Sequence, residues 1–386
     1  MKKIVQEFVL SAKYWFTQHH YDIKKSPIYL SVNDEVVFER IQSLLNIVAN
    51  RYIGSSHMLD NHLSLDSSTM NILERMKDIP YRPGFYRPDY IFDKTSQPNI
   101  CEINTRFPLN GYFVAFYALL KYHQCYPDKV DIEGVYNKID HFLQLLLSRC
   151  KEADKVTIIK GEDLPFDYYY YSTFLENQGF DVMTISPNEI QKYLSRIDKS
   201  VIIFECDQSY IKTMPVSVLD RLIVRPQIND LRTILVFHDK CYLSLLSDPS
   251  FLRKYISEED ALFLSSKIIP TFKVSSVSLD EVALNKNHWV VKHRRLGKGK
   301  SLYIGKEVEP IEWNILLQEL NDTDFVVQKY MESKPFFLDD NLPFNGVGYM
   351  LCCDDNYWGN GIFRVSQDSV VNLAGGKGAI LVPLVS

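Results

Sequence analysis

A chain of 386 residues, 46% hydrophobic and 24% charged, carries enough apolar material for a substantial core and is long for one ordinary domain, so two or three structural units are expected. Its net charge of −5, from 43 basic and 48 acidic residues with no long basic run, excludes the wide basic face of a duplex-binding protein. No apolar run reaches the roughly 18 residues of a membrane span, and the cysteines at 101, 125, 150, 206, 241, 352 and 353 contain no CxxC pair, which points to a reduced, cytoplasmic protein.

Residues 1–80 read mainly as helix. MKKIVQEFVLSAKYWF is amphipathic rather than a leader, because Gln6, Glu7 and Lys13 break its apolar positions. VFERIQSLLNIVANRYI, 37–53, repeats apolar residues at three- and four-residue spacing, and STMNILERM opens on the caps Ser68 and Thr69. PYRPG ends the helical region. FYRPDYIFD and NICEINTRF then read as two strands joined by the turn KTSQP. Helices follow at VAFYALLKYH and VYNKIDHFLQLLLSRC. From Lys155 the strands VTIIKG, DVMTIS, SVIIFECD and LRTILVF surround a helix at YYYYSTFLENQGF, the pattern of a parallel α/β unit over 153–240. ISEEDALFLSSKIIP is a helix capped by Ser257. HWVVKHRRLGKGKSLYIG is strand, glycine loop, strand. IEWNILLQEL is a helix and DFVVQKYM a strand. Further strands lie at GVGYMLCCDD, at YWGNGIFRVS and at the C-terminus.

The hairpin is the first concentration of chemistry. Alternate residues of a strand share a face, so Glu102, Asn104 and Arg106 point one way, and Arg87, Asp89 and Ile91 share a face on the partner strand. If Asp89 lies opposite Glu102 or Asn104, the polar groups gather on one side. If it lies opposite Ile103, they do not. Oxygens of Asp89, Glu102 and Asn104 suit magnesium, and Arg87 and Arg106 suit a bound phosphate or carboxylate. A water-exposed face laced with ion pairs is the alternative, and spacing leaves both open. Cys101 is expected to face away, into the core.

A second concentration is Lys292 at a strand end before Gly297 and Gly299, where backbone N–H groups can turn to phosphate oxygens. A basic surface turn is the alternative. Gln328, with the backbone of Lys329 and Tyr330, could follow an adenine edge, and an ordinary buried strand is the alternative. Arg364 suits a transferring phosphoryl group, and Asn372, Gly375 and Gly376 close approach of a ligand; a polar hairpin near the terminus is the alternative.

In this order the pieces resemble the circularly permuted ATP-grasp superfamily, and within it glutathionylspermidine synthetase and the eukaryotic-type glutathione synthetases. Arg87-Pro-Asp89 and Glu102-Ile-Asn104 stand where that group carries its phosphate contact and magnesium ligands. Lys267 and Lys292 stand where it carries two nucleotide lysines, and Gln328 to Tyr330 where it has the adenine hinge. The resemblance covers roughly 85–386. The glycine loop here is more basic than usual, and Gln328 replaces a common acid. The resemblance implies an α/β (α+β) ATP-grasp fold, circularly permuted, with an N-terminal helical region (1–80), a first part of the core with the hairpin (81–152), a central α/β pre-ATP-grasp-like substrate-side unit (153–254), a lid and nucleotide subdomain (255–335) and a return to the core (336–386). It implies ATP and Mg2+ and the ligation of a small-molecule or peptide carboxylate to an amine through an acyl phosphate. The substrate would meet Arg106, Asn372, Gly375, Gly376 and loops near Tyr112 and Asp339–Asp340. A carrier-protein thiol as acceptor, a phosphotransferase and a non-catalytic nucleotide binder remain as alternatives. Neither a nucleic acid nor a membrane is an expected partner.

Overall fold

The computed structural model describes residues 5–6, 8, 23–55, 60–162, 167–297, 299–338, 342–371, 373 and 378–385. Strand β1 (Ile28–Leu30) leads into helix α1 (Val32–Tyr52). The Asp34 N–H donates to Ser31 Oγ at 3.1 Å and the Ser31 N–H returns to Asp34 Oδ2 at 2.8 Å, a reciprocal cap that fixes where the helix starts. Its stripe of Phe38, Ile41, Leu45, Val48 and Tyr52 is fully buried, which is where most helix stability comes from. Helix α2 (Ser67–Met76) is capped by Asp66, whose Oδ1 accepts from the Thr69 N–H at 2.8 Å, and not by Ser68 or Thr69 as expected.

The hairpin strands are β2 (Phe85–Phe92) and β3 (Pro98–Asn104), followed by helices α3 (Tyr112–Cys125) and α4 (Ile132–Cys150). The α/β unit holds β4 (Lys155–Lys160), α5 (Tyr168–Asn177), β5 (Asp181–Ile185) and β6 (Ser200–Glu205), parallel and in the order β5-β4-β6. The fourth strand expected at LRTILVF is absent. Thr233–Phe237 is instead a wide helical turn, with the His238 N–H reaching the Thr233 carbonyl at 3.1 Å. All five of its residues are buried, and a short apolar run buried on every side has no period that separates strand from helix.

Beyond helix α6 (Glu258–Ser266), strands β7 (Thr271–Lys273), β8 (Trp289–His293) and β9 (Leu302–Ile304), helix α7 (Pro310–Glu319) and strand β10 (Phe325–Lys329) form a smaller body. Its sheet runs β7-β10-β8-β9 over a private core of Val282, Trp289, Val291, Trp313, Leu317 and Val327. The chain then returns through β11 (Phe336–Phe337), β12 (Pro343–Cys353), β13 (Asn356–Asn360), β14 (Phe363–Ser366), β15 (Ala379–Leu381) and β16 (Pro383–Val385). YWGNGIFRVS makes two strands rather than one. They break at Gly361, whose N–H donates to the Tyr349 carbonyl at 2.7 Å. The path β15-β14-β12-β2-β3 forms one antiparallel sheet, with β11 and β13 also on β12, and β16 pairs with β1. On one face of this sheet Tyr86, Tyr90, Phe92, Ile100 and Ile103 enter the main core. The other face packs at Phe85, Leu351 and Cys353 on helices α3 and α4, and further along β2 and β3 it faces the smaller sheet across a cavity.

The two bodies are tied by a bridge. Ile100 N–H donates to the Lys267 carbonyl at 2.7 Å and Ile269 N–H to the Ile100 carbonyl at 3.0 Å, so residues 267–269 run along the free edge of β3.

Candidate active site

The register of the hairpin sets Asp89 opposite Glu102 and Arg87 opposite Asn104, the arrangement that gathers the polar groups on one face. The pairing slips between Asp89 and Tyr90, which faces Ile100. Cys101 is therefore the extra residue of a β-bulge, and a bulge turns two successive side chains to the same side of the sheet. The expectation that Cys101 faces the core fails for this reason. It lines, with Glu102, a cavity of about 480 Å3 between the two sheets. Burial pushes its thiol up to about 12.

Three neighbouring strands place the basic end of that cavity. Asp89 on β2 stands opposite Tyr349 on β12, and Arg364 on β14 opposite Val347 on β12. Asp89, 1% exposed, accepts from Arg87 Nε at 2.9 Å, Arg87 Nη2 at 3.2 Å and Arg364 Nη2 at 2.5 Å. Both of its oxygens are thus occupied by arginines, where metal ligation was expected. The Arg87 and Arg364 guanidiniums lie 4.6 and 5.8 Å from the centre of the Tyr349 ring. The Tyr349 hydroxyl is fixed by the Gly111 carbonyl at 2.9 Å. Gly111 itself has φ +98 and lies so close that a Cβ there would sit 3.1 Å from the ring, so glycine is required.

Glu102 has a different setting. Its Oε1 accepts from Asn104 Nδ2 at 3.1 Å, and its Oε2 lies 3.4 Å from Lys240 Nζ. Burial works to raise its pKa, but Lys240, Lys292 and the Asn104 bond together hold it well below the usual carboxylate range, so it is an anion. Lys292 on β8 is buried, and its Nζ donates to the Cys101 carbonyl at 3.5 Å. Burial lowers its pKa against the pull of Cys101 and Glu102.

Lys240 and His238 line the cavity and were missed in the sequence. They follow directly on the segment misread as a strand, so no face could be assigned to them. The only available signal was a charged triplet, His238-Asp239-Lys240, ending an apolar run. Asp239 pairs with Arg294 at 2.8 and 2.7 Å, both fully buried. Lys240 donates to the Leu296 carbonyl at 2.7 Å. These bonds lock the α/β unit to β8 and to the loop beyond it. Burial first, then Lys240 and Arg106, lower the His238 pKa to about 3, so its ring is neutral. Arg106 also lines the cavity and is paired with Asp207 at 2.6 Å.

The other expected residues divide. Gly297 and Gly299 line the cavity, as do Gln328, Lys329 and Tyr330. The hinge differs in detail from the expectation. Lys329 and Tyr330 N–H groups already donate to the Pro270 and His288 carbonyls, at 2.9 and 2.8 Å. The Gln328 amide donates to Thr271 Oγ1 at 2.8 Å, so it fixes the strand. Lys267 is not among the residues lining the cavity. It lies at the turn end of the hairpin, where its Nζ donates to Gln97 Oε1 at 2.8 Å. Tyr112 points into the core and donates to the Tyr86 carbonyl at 3.2 Å. Asn372, Gly375, Gly376 and Asp339–Asp340 lie outside the described residues.

Residues 41–236, just over half of the chain, match the sequence profile of the AnkG N-terminal domain. The chain belongs to the AnkG N-terminal domain family. In this member the matched stretch carries the second half of α1, the hairpin and the three strands of the α/β unit, and stops before His238, Lys240, Lys292 and Arg364. The structure is also similar to that of a glutathione synthetase-like effector from Globodera pallida in its apo form. The TM-score is 0.57 at 11% identity, covering 100% of this chain and 97% of that one. At that identity the likeness is one of fold, so this AnkG N-terminal domain chain has a glutathione synthetase-like fold. Among curated proteins none matches the sequence. No helix of the described residues is long and apolar enough to cross a membrane.

Proposed function

We propose that the chain is a circularly permuted ATP-grasp ligase that uses ATP and magnesium to join a carboxylate to an amine through an acyl phosphate. The observation that carries this reading is the cavity. An ionised Glu102 and the Asn104 amide lie beside Lys240 and Lys292, with Arg87 and Arg364 on the same sheet and apolar walls from Val290, Leu302, Ile304 and Ile269. The five-part division of the chain given above belongs to the same reading.

The residues fit a magnesium ion only with help. Glu102 and Asn104 offer hard oxygen donors, and the described residues contain no group of three His, Cys, Asp or Glu that could hold a metal alone. That matches an ion bound mainly through substrate phosphates, which it would neutralise. Lys292 and Lys240 then hold phosphate oxygens, with Lys240 in the place expected of Lys267. The backbone around Gly297 and Gly299 covers the phosphates. The base lies against Val290, Ile304 and Ile269, and its edge is read one residue beyond the hinge, at Met331, since the N–H groups of Lys329 and Tyr330 are committed. Arg87 and Arg364 draw the acceptor carboxylate and the transferring phosphoryl oxygens together, the main physical obstacle when two anions react. The amine displaces phosphate from the acyl phosphate and loses a proton to the phosphate released.

The test is a screen for ADP and free phosphate across amino acids, polyamines and small peptides, in pairs with candidate carboxylates. ADP formation that requires both substrates supports the reading. AMP release, or a stable phosphorylated product with no free phosphate, would replace it with another chemistry.

A further inference from the structure

We propose that Asp89 is a positioning residue and not a metal ligand: it holds Arg87 and Arg364 as a paired guanidinium seat for an oxyanion, and a divalent ion sits on Glu102 and Asn104 without it. The metal half rests on the nucleotide reading above; the anion half does not.

Four observations carry it. Both Asp89 oxygens are committed, with three charge-assisted bonds of 2.5 to 3.2 Å from two arginines. Asp89 is 1% exposed, so a metal reaching it would have to displace a guanidinium inside a packed sheet. The trio of two cations and one anion leaves a single net positive charge. It therefore attracts an anion. Arg364 Nε is buried with no hydrogen-bond partner among the described residues, although its residue lines the cavity. A buried unpaired guanidinium N–H needs an acceptor. An incoming oxyanion supplies one, whereas a metal would not.

The seat is also rigid. Tyr349 lies beneath both guanidiniums and is itself anchored to Gly111. Asp89 holds Arg87 from its own strand and Arg364 from across β12, so one carboxylate sets the separation and tilt of both forks. Glu102, on the neighbouring strand, accepts one amide bond and has Lys240 3.4 Å away, with no arginine in hydrogen-bond reach among the described residues. The charges are thereby divided by strand: the anion seat on β2 and β14, the metal side on β3.

The oxyanion is either the phosphoryl group of the nucleotide or the carboxylate of the acceptor. Calorimetric titration of the wild-type chain with inorganic phosphate and with malonate separates these. Binding of either, weakened at least tenfold in Arg364→Met, supports the seat and names its source. Failure of both to bind overturns it, whether or not the chain binds nucleotide.

The metal half is read from Mn2+ affinity, by electron paramagnetic resonance of free Mn2+, in the complex with a non-hydrolysable ATP analogue. Glu102→Gln is expected to lose at least tenfold in Mn2+ affinity. Asp89→Asn is expected to stay within threefold of wild type while losing anion affinity as Arg364→Met does. Equal losses in Asp89→Asn and Glu102→Gln would make Asp89 a ligand. If Asp89→Asn does not fold, Arg364→Met gives the answer, because it removes the shortest of the three bonds to Asp89 and one of its two arginines. Unchanged Mn2+ affinity there supports the proposal, and a tenfold tightening overturns it. A wild-type chain that binds no nucleotide analogue sinks the ligase reading and with it the metal half, leaving the anion seat to stand or fall on the calorimetry.

Discussion

Replacing Glu102 by Gln removes one charge and almost no volume, so it isolates the electrostatic role of the hairpin. Glu102 Oε2 lies 3.4 Å from Lys240 Nζ, and at an effective dielectric constant of about 20 that attraction is about 5 kcal/mol before desolvation is subtracted. Lys292 adds to it. Burial of the ions offsets part of this gain, and leaving buried lysines without their anion typically costs about 3–5 kcal/mol. Glu102 is partly exposed, so the expected loss of unfolding free energy at pH 7 is the lower end, roughly 2–3 kcal/mol. The folded pKa of Glu102 is depressed, so its contribution is complete above the ordinary carboxylate range and disappears as pH falls through the folded value. The gap between wild type and variant, measured by urea unfolding, therefore narrows in acid. The functional effect is separate. Without its anion the cavity is more positive, so metal-free ATP binds no more weakly than to wild type. Substrate-dependent ADP release falls at least about 1000-fold, roughly 4 kcal/mol of barrier. Near-wild-type ADP release in a folded Glu102→Gln chain would refute the reasoning.

Three further outcomes are expected. Asp239→Asn breaks a fully buried pair with Arg294 and should lower stability by about 3–5 kcal/mol, read as a shift of the urea midpoint at unchanged slope. His238, held near 3 by burial, binds its proton only when unfolded between that value and about 6.5, so wild-type stability falls with pH there; His238→Gln should remove about 2 kcal/mol of the loss between pH 7 and pH 5. Cys101, with its thiol pushed up to about 12, should alkylate far more slowly at pH 8 than exposed Cys125, and more slowly still with magnesium and an ATP analogue bound; peptide mass spectrometry after iodoacetamide reads both sites.

The legible parts of this chain were those in which local pattern and tertiary setting agree. The hairpin announced itself through two alternating strands around a turn, and its polar face followed from period two. The register did not, because a five-residue turn allows several, and the bulge at Cys101 is a property of the pairing rather than of either strand. The glycine loop after Lys292 was visible for the same local reasons. LRTILVF failed because a segment buried on all sides carries no amphipathic signal, and that failure hid His238 and Lys240 directly behind it. Lys267 was placed by motif order alone. Order could not show that its helix ends at the turn end of the hairpin, beside Gln97. Whether Asp89 joined the polar face was open until the register was known, and its two arginine partners come from its own strand and from a strand 275 residues later in the chain. No local pattern reports that meeting.

The central claim is that the cavity between the two sheets binds ATP with magnesium. Calorimetric titration of the chain with a non-hydrolysable ATP analogue, with and without Mg2+, tests it most directly when repeated on Lys292→Ala. The account predicts binding that tightens at least tenfold with Mg2+ and is lost by a similar factor in Lys292→Ala. Binding that is indifferent to both Mg2+ and Lys292, or no binding at all, would contradict it.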